Sequence, residues 1–288
     1  MKSPSRRRGP GLPLSERFSR KLTAGRFALP LERPLVMGVV NITPDSFSDG
    51  GRFFDVDEAV AHARQLAADG ADIIDLGGES TRPGAAPVSE DEELKRILPV
   101  LRELADLPVS VDTRRPSVMR EVLKAGASMI NDVEALAAPG ALEVVAASDC
   151  GVCLMHKKGE PATMQRDPHY DDVVREVKAF LKQRVEAAEA GGVARERIVV
   201  DPGFGFGKTA EHNLTLLKRL RELSEFPVLV GLSRKSTLGK ITGRPVDERL
   251  AGSLAMALLA LQGGATILRV HDVKETRDVI AVWQAYNG

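Results

Sequence analysis

The stretch Asp57-Glu-Ala-Val-Ala-His-Ala-Arg-Gln-Leu-Ala-Ala-Asp69, then Gly70-Ala71, then Asp72-Ile-Ile-Asp-Leu76, holds one unit of the whole fold. Its first part carries a helical period, and its last part is a short β-branched run. The glycine between them stands just past the helix, where a left-handed C-cap needs it. The same order recurs along the chain. Strand candidates lie at 35–40, 72–76, 108–111, 128–130, 150–155, 197–200, 227–231 and 266–270, and helical patterns lie near 57–69, 89–105, 115–124, 139–147, 170–190, 212–222, 247–262 and 273–285.

Repetition of strand then helix argues a parallel sheet with helical crossovers, and eight such units is the number that closes a barrel. An open doubly wound sheet is the competing architecture. Short links such as Asp69-Gly-Ala71 and Lys124-Ala-Gly-Ala127 favour closure, because they give regular turns at one end. At the other end, after each strand, sit polar and glycine-rich segments: 41–51, 77–87, 112–115, 131–134, 156–164, 201–209, 233–240 and 269–272. Function in β/α barrels concentrates on that face. The predicted fold is α/β: a single (β/α)8 TIM barrel over 34–288, preceded at 1–33 by a flexible basic extension.

Length and composition agree. The 288 residues accommodate a barrel of about 250 residues and a tail. Hydrophobic residues make up 43%, enough for a sizeable core, and the 4% aromatic share points to Val, Leu, Ile and Ala filling it. Basic and acidic residues balance at 40 each, so no global field favours nucleic acid, an anionic membrane or a basic partner, and any anion site must be local. No apolar run approaches the roughly 20 residues of a membrane span, and the start lacks the apolar core of a secretory signal. A cytoplasmic protein is expected. Residues 1–33 carry nine Lys and Arg against two Glu, which reads as a mobile segment rather than a transit peptide, since no amphipathic helix is evident. Cys150 and Cys153 have C-x-x-C spacing but lie in an apolar run, so they read as core thiols rather than a redox pair or zinc ligands.

Chemistry gathers where strands end. Asn41, Asp75, Asp112, Asn131, Asp201, Lys235, Arg269 and His271 all close buried runs, although such residues are poor strand formers. Helix capping accounts for single Asp or Asn residues there. It does not account for Lys235, Arg269 and His271 in the same ring. Carboxylates, an amide and several cations at one mouth suit a ligand with a donor-rich edge and an anionic group. The run Asp201-Pro-Gly-Phe-Gly-Phe-Gly-Lys-Thr209 resembles a phosphate loop, but GxxxxGK[ST] requires Gly at 202, which is Pro. Its G-x-G-x-G spacing is not a dinucleotide fingerprint either. Phe206 between glycines suggests a wall against a flat ligand.

These residues also carry a resemblance. Met37-Gly-Val-Val-Asn-Ile-Thr-Pro-Asp-Ser-Phe-Ser-Asp-Gly-Gly51, Asp72-Ile-Ile-Asp-Leu-Gly-Gly-Glu-Ser-Thr-Arg-Pro-Gly84, Ser110-Val-Asp-Thr113, Ile130-Asn-Asp132, 201–208, Gly231-Leu-Ser-Arg-Lys-Ser236 and Leu268-Arg-Val-His-Asp272 resemble the dihydropteroate synthase family in identity and order. The likeness covers about 34–287, and the loops at 43–51 and 79–84 are its most specific parts.

The resemblance implies a transferase that joins a pterin to p-aminobenzoate with loss of pyrophosphate, uses Mg2+, and works as a homodimer on small-molecule substrates. It places the pterin among Asp112, Asn131, Met155, Asp201, Lys235 and Arg269. Pyrophosphate would meet Asn41, Arg82, Arg269 and His271, with Asn41 also holding the magnesium. Thr81, Pro83, Phe206 and Ser236 would border p-aminobenzoate, and Phe47 and Asp49 would sit in lid loops expected to be mobile when the site is empty. Arg82, Lys235, Arg269 and His271 would be the catalytic groups. Two positions depart from the family pattern, Lys157 and Glu134. The rivals are a methyltransferase on the same pterin barrel and a non-catalytic pterin binder. His62, His169 and His212 read as surface residues.

Overall fold

The computed structural model describes residues 21–42, 56–79, 88–159 and 164–287. Eight parallel strands form the barrel wall: β3 (Leu35–Asn41), β4 (Ile73–Gly77), β5 (Val109–Asp112), β6 (Met129–Asp132), β7 (Gly151–Met155), β8 (Ile198–Asp201), β9 (Leu229–Val230) and β10 (Ile267–Val270). They pair in the order β8-β7-β6-β5-β4-β3-β10-β9. A parallel bridge between Val200 and Val228, with Val200 N donating to Pro227 O at 2.9 Å, joins β8 to the chain entering β9 and brings the two ends of the sheet together. The predicted barrel is the observed architecture.

Around the wall run α1 (Val56–Ala68), α2 (Glu90–Glu103), α3 (Pro116–Lys124), α4 (Ala141–Ala146), α5 (Val173–Ala190), α6 (Ala210–Lys218), α7 (Ser236–Thr242), α8 (Leu250–Gln262) and α9 (Val273–Asn287). Strand pleating sorts the core into two bodies. Outward residues such as Val36, Ile74, Val111, Ile130, Val152, Val200, Val230 and Leu268 pack under the helices. Inward residues Leu35, Met37, Ile73, Met129, Cys153, Val199, Leu229 and Ile267 form a separate apolar layer low in the barrel. Gly70 and Gly126, in the links singled out by sequence, have φ of +106° and +107°, so short left-handed turns do return the chain to the strand starts.

The sequence reading of residues 1–33 needs correction over 21–33. Lys21–Ala24 (β1) and Phe27–Pro30 (β2) form an antiparallel hairpin. Leu22, Ala24, Leu29 and Leu31 pack into the same cluster as the inward barrel layer, so the hairpin closes the barrel's lower end. Four-residue strands amid basic residues offer too short a period to stand out, yet the alternation of Leu22 with Ala24 is the one a half-buried strand requires.

Two smaller differences follow from local chemistry. The loop after β9 contains α7, whose short Thr- and Gly-bearing sequence is a weak helical signal. The 212–222 pattern divides into α6 and a 3₁₀ turn at Leu220–Leu223. Cys150 and Cys153 are free and buried, as expected. They belong to different core bodies, Cys150 under the helices and Cys153 inside the barrel. His62 and His169 are exposed, whereas His212 is half-buried and closes a capping box: its N–H donates to Thr209 Oγ1 at 3.1 Å and its Nδ1 accepts from Thr209 N at 3.2 Å.

Asp72, just before β4, ties the start of β3 to α9. Its carboxylate accepts from Arg33 at 2.6 Å, Arg277 at 2.5 Å and the Val36 backbone N–H at 2.8 Å. One buried-edge carboxylate thus joins the chain before β3, the start of β3 and α9.

Candidate active site

The inward face changes two residues along six of the strands, to a charged or amide group on five of them and to Met155 on β7. Ile73 gives way to Asp75, Ser110 to Asp112, Met129 to Asn131, Cys153 to Met155, Val199 to Asp201, and Ile267 to Arg269. The i, i+2 spacing keeps all of them on the barrel interior and lifts the second member toward the C-terminal mouth. Of the predicted ring, Asp75, Asp112, Asn131, Asp201 and Arg269 belong to this set, whereas Asn41 pairs with Gly77 beyond Asp75, His271 follows β10 and Lys235 lies in the loop after β9.

Arg269 is its hub. Its Nε donates to Asp75 Oδ2 at 2.7 Å and its Nη2 to Asp112 Oδ2 at 3.1 Å, bridging β10, β4 and β5. The two carboxylates hold the guanidinium's pKa above its ordinary value despite burial. Burial pushes Asp112 up to about 7, with Arg269 opposing the shift. Asn131 Nδ2 donates to Asp75 Oδ2 at 3.4 Å. Three buried oxygens, Asp75 Oδ1, Asn131 Oδ1 and Ser110 Oγ, have no hydrogen-bond partner among the described residues. Buried acceptors in that condition are uncommon and favour a ligand that brings donors.

Across the barrel, Asp201 accepts at Oδ1 from Gly203 N at 2.7 Å. Burial raises its pKa, and Lys235 works against that rise. Lys235 starts α7; burial lowers its pKa to about 8, with Asp201 opposing. Its Nζ donates to Phe204 O at 2.5 Å and lies 4.8 Å from the centre of the Phe206 ring. Met155 is buried and Phe206 half-buried beside them, while Ser236 is exposed. His271 Nδ1 stands 3.0 Å from Ser233 Oγ, which fixes its ring on the rim. Asn41 is half-buried at the end of β3.

The structure thus joins Asp112 to Arg269 directly, and Lys235 to Phe206, within one mouth that also takes in Asn131, Met155 and Asp201. Thr81, Arg82, Pro83, Phe47 and Asp49 lie outside the described residues. The two departures from the family pattern face each other: Lys157 Nζ donates to Glu134 Oε1 at 3.0 Å. Three contributors escaped sequence reasoning. Asp75 was recognised as a strand end without a role, yet it anchors Arg269. Ser233 was quoted only as part of a motif. Lys208, which is 2% exposed, was quoted only as part of the glycine run and given no role, because buried lysines are rare.

The barrel mouth offers deep acceptors for a flat, donor-bearing ring and cations near its edge for an anionic group. Comparison with known proteins agrees: a family model described as pterin binding enzyme matches residues 37–271. A dihydropteroate synthase of Escherichia coli strain K12 is 50% identical over 270 residues, covering 92% of this chain and 96% of that protein. A solved Xanthomonas albilineans dihydropteroate synthase with 4-aminobenzoic acid is 52% identical, with a TM-score of 0.89 over 94% of this chain and 99% of the other. A Burkholderia cenocepacia dihydropteroate synthase complexed with 7,8-dihydropteroate is 47% identical, with a TM-score of 0.85 over 93% and 96%. The chain belongs to the dihydropteroate synthase family.

Proposed function

We infer that the protein condenses 6-hydroxymethyl-7,8-dihydropterin pyrophosphate with p-aminobenzoate, giving 7,8-dihydropteroate and pyrophosphate. The observation that carries this reading is the layer of Asp75, Asp112, Asn131 and Asp201 facing Lys235 and Arg269 inside the mouth. A pterin's pyrimidine edge presents adjacent N–H donors, which a buried carboxylate accepts two at a time. Asp201 suits that contact because Gly203 N already fixes its orientation. Asn131 and Asp112 supply further acceptors. Lys235 carries three donors, of which Phe204 O takes one, so it can serve the ring carbonyl and ring nitrogen.

The reaction breaks the bond between the pterin methylene and the pyrophosphate oxygen, whose electron pair leaves with pyrophosphate. The methylene, electron-poor and supported by the dihydropterin ring, is then met by the arylamine nitrogen. That nitrogen is neutral near pH 7, and after C–N bond formation it gives up its proton to solvent. No nucleophilic side chain takes part. The protein's share is orientation and stabilisation of the departing charge. We assign this to Arg269, inside the mouth, and to His271, on its rim, and the resemblance adds Arg82. Phe206 and Ser236 are assigned to the arylamine side, and the resemblance adds Thr81 and Pro83.

Magnesium fits the donor set in a limited way. The described residues contain no cluster of three His, Cys, Asp or Glu that would cage a metal. Mg2+ keeps several waters and takes phosphate oxygens, so one amide oxygen from Asn41 is sufficient as the protein's contribution. There the ion would neutralise pyrophosphate charge.

We further propose a homodimer, supported by exposed Ile241, Val246, Leu250 and Leu259 along α7 and α8, and a cytoplasmic location, supported by the two unpaired thiols. Among the described residues no helix is long and apolar enough to cross a membrane. Incubation with the pterin pyrophosphate, p-aminobenzoate and Mg2+ should release pyrophosphate and form 7,8-dihydropteroate. Binding of both substrates without turnover would instead mark a non-catalytic pterin binder.

A further inference from the structure

The loop between β8 and α6 is held almost entirely by side chains. Five successive carbonyls each accept from one: Gly203 O from Lys208 Nζ at 2.9 Å, Phe204 O from Lys235 Nζ at 2.5 Å, Gly205 O from Gln165 Nε2, Phe206 O from Lys208 Nζ at 3.1 Å, and Gly207 O from Tyr170 Oη at 2.8 Å. Gly203 and Gly207 have φ of +68° and +64°, and a methyl group on either would overlap the carbonyl of His156 or Lys158. A chain with three left-handed glycines has little conformational preference of its own. Something outside it must select the shape seen.

Lys208 does most of that selecting. Besides the two carbonyls, its Nζ lies 2.9 Å from His156 Nδ1, so all three protons of its ammonium form have acceptors, while burial lowers its pKa to about 7 with Asp201 opposing. That contact requires the imidazole tautomer with its proton on Nε2. His156 follows β7 directly and is wedged edge-on against Phe180, ring centres 5.0 Å apart. Burial and the lysine's charge keep it neutral, with a pKa lowered to about 3.

We propose that Lys208, held in place by His156, is a positioning residue for pterin binding: it fixes the loop that aims Asp201 and Phe206 and anchors Lys235. The proposal rests on the functional reading above. Each of the three groups hangs on this loop: Asp201 through Gly203 N, Lys235 through Phe204 O, and Phe206 as a member of it. A lysine serving stability alone has little reason to be here, since burying an ammonium works against the fold and an apolar side chain of the same volume fills space as well. Lys208 itself touches none of the reacting atoms.

The test compares the full-length protein with its Lys208→Ala variant, using calorimetric titration of 6-hydroxymethylpterin alongside steady-state kinetics. Pterin affinity should fall at least tenfold, while the KM for p-aminobenzoate at saturating pterin pyrophosphate should rise less, by about two- to fourfold, through Phe206. Added propylammonium, which restores the missing amine, should recover at least threefold of the pterin affinity, and 1-propanol of similar size should not. Unchanged pterin affinity, an equal loss for both substrates, or equal rescue by propanol would overturn the proposal. If Lys208→Ala does not fold, His156→Gln decides: pterin binding should weaken two- to fivefold, and unchanged binding overturns the idea. Calorimetry reads the effect even if the wild type binds pterin without turning it over, a result that would count against the functional reading instead.

Discussion

The two ends of the barrel are built from the same strands and have opposite characters. At the lower end Met37, Ile73, Met129, Cys153, Val199, Leu229 and Ile267 meet the hairpin residues Leu22, Leu29 and Leu31 in an apolar layer. Two residues further along, Asp75, Asn131, Asp201 and Arg269 form a layer in which nearly every side chain is polar and buried. Burying apolar area stabilises the fold, whereas burying charge costs free energy unless it is paired. One rung of the barrel supplies stability, and the next carries the cost of recognition. The lesson is that function here is a register property: a one-residue slip in any strand would turn that strand's polar group out toward the helices.

The contrast can be broken most sharply at the upper layer. Asp201→Asn should weaken pterin binding by about 2 to 5 kcal/mol, because a charge-assisted acceptor facing two donors is lost. Calorimetry with a pterin reads this, and unchanged affinity would reduce Asp201 to a cap for Gly203. At the lower layer the complementary change is Leu22→Ala. It should cost about 2 to 4 kcal/mol of stability in a urea titration, through the cavity left beneath the barrel, and should leave pterin affinity alone. Parallel loss of affinity would show that the two layers are coupled.

A smaller effect sharpens the role of charge at the mouth. Lys235→Ala should weaken pterin binding by about 1.5 to 3 kcal/mol, the range for a charged hydrogen bond. Lys240→Ala, exposed on the same short helix, should stay within about 0.5 kcal/mol. Equal losses in kcat/KM would mean diffuse steering rather than a placed contact.

The mildest perturbation is pH. Burial lowers Lys235, so its ammonium is present below about pH 8 and is lost above it. Burial raises Asp112, so its ionised acceptor form is present above about pH 7 and is lost below it. The kcat/KM for the pterin substrate, which reports groups of the free enzyme, should therefore peak between these values and fall about tenfold per unit further out. Lys235→Arg should shrink the alkaline limb, to which Lys208, lowered by burial to about 7, also contributes, and Asp112→Asn should remove the acidic one. A flat profile through pH 9 would show that the lysine's charge is not needed.

Much of this was legible in the sequence. All eight barrel strands fall within a residue or two of their β-branched runs, because a strand buried on both faces leaves a continuous apolar signal. The polar strand ends stood out as poor strand formers at repeating positions. What stayed hidden depends on contacts distant in sequence. The hairpin's alternation acquires meaning only once the barrel's lower opening exists to receive it. Lys208 reads as a solvated residue beside Thr209 until the His156 carbonyl and imidazole are brought against it. Asp75 looks like any helix-approach carboxylate until Arg269 arrives from nearly two hundred residues away.

That last separation bears on how the protein is made. The seam between β3 and β10 pairs Leu35 with Ile267, and the Asp72 carboxylate before β4 takes donors from both Arg33 and, on the helix after β10, Arg277. A chain emerging from the ribosome can stack its early strands in sequence, but the first of them keeps an open edge until the last helix has been synthesised. Closure is thus a late, long-range event, and such contacts make folding slow. The interval before it, with an unpaired strand edge exposed, is when the nascent enzyme is most prone to associate with its neighbours.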